Sequence, residues 1–105
     1  MISDDTLDRL RGVMVGAAAG DALGMPLEFA PAVPLSRMVR QMQPGRMEAG
    51  TFTDDTEMAL ALAESLLAHR PLDGDDLARR FVQWYRSNPP DIGIHTANVL
   101  GRIAL

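Results

Sequence analysis

The chain contains no cysteine. Disulfides, thiolate metal sites and a cysteine nucleophile are therefore excluded, and a reducing compartment is consistent with the composition. Long apolar runs are also missing. The longest near the N-terminus, Gly12 to Gly20, is nine residues and too short to cross a bilayer. Basic residues are in deficit: Lys and Arg number 10 against 14 Asp and Glu, for a net charge of −4. Nothing forms a basic patch, so nucleic acid is not an expected partner. Aromatics make up only 5%, and the adjacent Trp84 and Tyr85 read as core and rim rather than as a ligand platform. The segment before Ala17-Ala18-Ala19 carries Asp4, Asp5 and Asp8 against Arg9 and Arg11. It lacks the cationic start of a signal peptide, and a cytoplasmic location is the expectation.

What remains suits a soluble globular chain. Its 105 residues are 47% hydrophobic and 23% charged, enough for one domain with a modest core. Periodicity predicts helices almost throughout. Ser3 caps the first, with Leu7, Leu10, Val13, Met14, Ala17 and Ala18 on one face, ending near Ala22 to Pro26. Gly16 and Gly20 would let another helix approach. A short helix is expected over Leu35 to Met42, then a loop from Gly45 to Phe52. The next helix runs from Asp54 to about His69 and is apolar on most sides, which predicts a central position. Asp73 caps another, bearing Leu77, Phe81, Trp84 and Tyr85 and ended by Asn88-Pro89-Pro90. A last helix begins near Ile92, with Asp91 as a possible cap. The sequence closes on an apolar, uncapped Ile103-Ala104-Leu105, and the expectation is that the domain continues beyond it.

Chemistry concentrates in three places. Thr53-Asp54-Asp55-Thr56 puts two hydroxyls and two carboxylates on four consecutive residues at a helix start. Such hard oxygens can hold a hard cation, but Thr and Asp also serve as ordinary caps there. Gly16 to Gly24 contains Asp21 inside an apolar run, and Glu28 follows in a Pro-flanked loop. Asp21 needs a partner; Glu28 reads alone as an exposed acid. The third is Asp91-Ile92-Gly93-Ile94-His95-Thr96, where a lone histidine is weak grounds for a general base.

Together, Gly-x-x-x-Gly-Asp-Ala-Leu-Gly with Glu28, Thr-Asp-Asp-Thr-x-Met and Asp-Ile-Gly-x-x-Thr stand in order along the chain. This resembles the N-terminal part of the ADP-ribosylglycohydrolases, the family that includes the dinitrogenase reductase activating glycohydrolases. The resemblance implies an all-α, multi-helix fold, present as an incomplete part of a single domain over 1–105. It implies a site with two Mg²⁺ ions, or Mn²⁺, whose ligands are Thr53, Asp54 and Asp55. Glu28 and Asp55 are the implied catalytic residues; Asp91, Gly93 and Asp21 are the implied substrate-binding ones. The implied reaction removes ADP-ribose from a modified acceptor, often arginine, on a protein or a small molecule.

The family's second acidic signature, Asp-x-Asp-Thr, does not occur. Asp73 and Asp75 are followed by Asp76 where Thr should stand. With half of the ligands, cation affinity should be poor, and activity should need a missing C-terminal half or a complementary chain. The competing expectation is a catalytically inactive helical module that binds ADP-ribose or a protein partner.

Overall fold

The computed structural model describes residues 1–105 and has no strand. It falls into two compact units, Met1–Phe52 and Thr53–Leu105. No helix is long and apolar enough to cross a membrane.

The first unit holds one long helix, α1 (Asp4–Gly24). Ser3 starts it as the sequence predicts: its hydroxyl oxygen accepts the Thr6 N–H at 3.2 Å, and Asp4 and Asp5 sit in the first turn. This satisfies an end donor and complements the helix dipole. Gly24 is the last residue, and Pro26 lies within a following short 3-10 helix (Met25–Leu27). Ala22 and Met25 are buried there. The loop returns to the same place through Gly45, where a Cβ would stand 2.7 Å from the Pro26 Cα. Only glycine permits that approach. Phe29 has φ 62, rare for a bulky residue, and the Arg46 guanidinium lies 4.9 Å from its ring centre.

One expectation for this unit is corrected. The helix over Leu35 to Met42 is a single 3-10 turn, Leu35–Arg37. Pro34 and Pro44 fence a stretch too short to sustain helix without packing support. At Gly16 and Gly20 a Cβ would meet nothing within 4 Å, so nothing in this unit requires glycine there.

The second unit contains α2 (Asp54–Ala68), α3 (Gly74–Arg86) and α4 (Ile94–Ile103). Asp73 caps α3 as expected, its carboxylate accepting the N–H groups of Asp75 and Asp76. The middle helix is α3, which packs against both α2 and α4. Inside this unit α2 has α3 as its one helical neighbour. One partner covers one side of an all-round apolar helix, and Leu67 stays 72% exposed. The turn from α2 to α3 is tied by polar contacts. Asp76 accepts the buried Ser65 hydroxyl and the Arg80 Nε–H, both at 2.7 Å. Arg80 reaches on to Glu64 at 3.4 Å. At the other end, Arg86 donates to the Ala104 carbonyl at 2.9 Å, and Tyr85 packs against Gly101.

Candidate functional site

Within the second unit, the start of α2 and the connector into α4 bring several of the predicted residues together. Thr53 occupies the N-cap of α2 in extended conformation but makes no side-chain capping hydrogen bond. It is nevertheless 1% exposed. A threonine buried at a helix start and not used as a cap is unusual, because capping is the common reason for its presence.

Asp54 reaches in two directions. Its Oδ1 accepts the Asp55 N–H at 3.1 Å. Its Oδ2 accepts the Gly93 N–H, also at 3.1 Å. Gly93 is the N-cap of α4 and has no capping side chain of its own. The acid on α2 therefore serves the backbone at the mouth of α4. Asp91, read from sequence as a possible cap, does not hold the cap position. It is buried at 6% exposure, and carboxylate oxygens of Asp54 and Asp91 lie within 4.8 Å of one another.

Two acidic side chains this close, one of them out of water, repel each other. Burial of a carboxylate is costly unless it is paired, hydrogen-bonded or bound to a cation. The arrangement suits a divalent cation. The donors are hard oxygens, and a carboxylate oxygen that accepts one N–H keeps a second lone pair. On donor chemistry, the carboxylate of Asp54 fits a hard divalent cation, and Asp91 adds negative charge beside it. Asp55 is exposed, one residue along the first turn.

Gly93 places its α-carbon toward the same spot. A Cβ there would lie 3.8 Å from Asp54 Oδ2 and from Thr96 Oγ1, at ordinary contact distance. Its φ is −64, so no backbone strain demands glycine. The exposed His95, in the first turn of α4, lines an apolar groove of about 330 Å³ with Met58, Leu77, Phe81 and Val99. In the first unit, Asp21 stands in the last turn of α1, and its carbonyl accepts the Met25 N–H. Glu28 follows the 3-10 turn and donates its N–H to the Met25 carbonyl at 3.2 Å. Both are half-buried.

One pair escapes sequence reasoning. Trp84 near the end of α3 donates its indole N–H to Glu57 Oε2 at 2.6 Å. Glu57, in the first turn of α2, looks like any acid favouring the helix dipole. No spacing rule links residues 27 apart on different helices.

The same chain is similar to several known proteins. Over 92 residues it is 41% identical to the ADP-ribosyl-(dinitrogen reductase) glycohydrolase of Rhodospirillum rubrum, covering 82% of this chain and 31% of that protein. It is 43% identical over 94 residues to an ADP-ribosylhydrolase of Bos taurus, covering 80% of this chain and 26% of the relative. It is 41% identical over 106 residues to the ADP-ribosylarginine hydrolase of Serratia proteamaculans, covering 91% and 28% respectively. The chain thus spans between a quarter and a third of the length of these curated relatives. The sequence model of the ADP-ribosylglycohydrolases matches residues 2–105, so the chain belongs to that family.

Proposed function

We propose that this chain is the N-terminal part of a single ADP-ribosylglycohydrolase domain. In it, Thr53, Asp54 and Asp55 hold a divalent pair, Mg²⁺ or Mn²⁺, and hydrolysis releases ADP-ribose from a modified acceptor, by preference arginine on a protein. The observation that carries this is the buried Asp91 carboxylate within 4.8 Å of Asp54. Asp91 is buried and Asp54 half-buried beside it; a divalent cation there would offset the repulsion between two such carboxylates. When bound, the cations would orient ribose hydroxyls and lower the pKa of a water.

The chain's own residues would do the rest. Asp54, fixed through Gly93 N–H, is preorganised as a ligand and needs little reorganisation on binding. Asp91 presents negative charge to a ribose carbon that becomes positive as the glycosidic bond breaks. Glu28 is assigned the proton transfer and Asp55 a ligand and catalytic role; Asp21 and Gly93 contribute to the substrate surface. The remaining ligands come from polypeptide corresponding to the rest of the relatives. By itself the chain is expected to bind cations weakly and to turn over little or no substrate.

The test is a fusion of residues 1–105 to the C-terminal remainder of the Rhodospirillum rubrum relative, assayed on ADP-ribosylarginine. Metal-dependent release of ADP-ribose is expected, and Asp54→Asn should lower kcat about 100-fold or more. A folded fusion that stays inactive, or an Asp54→Asn variant that works normally, would sink the proposal.

A further inference from the structure

The connector between α3 and α4 carries Asp91, and it is held to the first turn of α2 on both sides. Before it, Trp84 donates to Glu57 at 2.6 Å. After it, Gly93 donates to Asp54 at 3.1 Å. Glu57 and Asp54 are three residues apart on the same turn, so both ties end on one rigid platform. The indole-to-carboxylate bond is short and charge-assisted, which makes it the stronger of the two. Both partners are half-buried, so water replaces the bond poorly.

We propose that Trp84 is a positioning residue: through Glu57 it fixes the first turn of α2 against the end of α3, and thereby sets the separation of Asp54 from Asp91. The inference deepens the cation-site reading and rests on it for its consequence, not for its geometry. The role belongs to the indole N–H and not to the bulk of the ring. Phenylalanine would keep the packing and lose the tie.

The experiment uses the full chain and follows the Gly93 amide by hydrogen exchange in nitrogen-15 spectra. In Trp84→Phe, Gly93 protection should fall about tenfold, with helix content unchanged. Glu57→Ala should do the same without touching the indole, and it decides the matter if the Trp84→Phe variant does not fold. Glu57→Gln keeps an acceptor and should retain protection. A second readout is broadening of the Asp54, Asp55 and Gly93 amides by Mn²⁺. Its half-saturation should rise about threefold or more in Trp84→Phe. If Trp84→Phe and Glu57→Ala both keep Gly93 protected, the tie is not a positioning device and the inference is overturned. Absence of selective Mn²⁺ broadening in the unmodified chain, even at metal concentrations high enough to reveal weak binding, would instead overturn the cation site, leaving the exchange result to judge the tie.

Discussion

A single absent methyl separates two glycines that look alike in the sequence. At Gly45 a Cβ would intrude to 2.7 Å from backbone of Pro26 and 3.1 Å from the sulfur of buried Met25. Gly45→Ala should cost about 1–3 kcal/mol, seen as a lower thermal or urea midpoint. At Gly93 the same change meets only ordinary contacts and should be near neutral for stability, within about 0.5 kcal/mol. Reversal of that order would mean the loop does not pack on Pro26. Residue-scale features are legible from sequence where their partners are close by. Ser3 and Asp73 are identifiable as caps because each bonds two or three residues ahead. Asp91 looks like a cap in the sequence because its burial depends on chain far from it. Nothing local distinguishes an acid that begins a helix from one folded in behind it. Trp84 reads as core and rim for the same reason: Glu57 lies 27 residues away.

Among the elements, the turn joining α2 to α3 depends most on charge. The Asp76 carboxyl is held below its usual value, first by the Arg80 hydrogen bond and then by the Ser65 hydroxyl. A depressed folded value means that the unfolded chain binds more protons over that range, so stability rises with pH there. The contribution is complete above the unfolded Asp value of about 3.9 and disappears as pH falls through the folded one. Urea midpoints of the natural chain should therefore drop on the acid side of about pH 4. Asp76→Asn should start lower at neutral pH and lose part of that acid slope. An unchanged slope would show that the contact does not persist in solution. Helix existence is readable from periodicity at α1, α2, α3 and α4, which are long or capped. Leu35 to Met42 fails because a few apolar residues between prolines have nothing to lean on. The all-round apolar surface of α2 is plain in the sequence, and inside its unit only α3 packs on it.

At the scale of the whole molecule, large apolar side chains stay exposed in each of the two units. Val13 and Val15 on α1 are 67% and 68% exposed, and Ile94 on α4 is 79% exposed. Buried hydrophobics are few: Ala22, Met25, Val82 and Leu100. Exposed apolar surface on this scale is what an apolar dye binds. The chain at neutral pH is expected to enhance the fluorescence of an apolar dye such as anilinonaphthalene sulfonate while keeping helical circular dichroism. Fusion to the remainder of a relative should suppress most of that signal and raise the urea midpoint. Equal dye binding by both would argue against shared packing. Family membership is legible in three short motifs because they carry polar groups that a helical core would not otherwise tolerate. How they are enclosed in the longer relatives is not, since this chain spans between a quarter and a third of those proteins.

The chain has one tryptophan, and its ring nitrogen sits against an acid on the same helical turn as the proposed ligands. A natural chromophore thus stands beside the candidate site without any labelling. Its emission should report, in an ordinary fluorimeter, every event that shifts charge at the opening of α2.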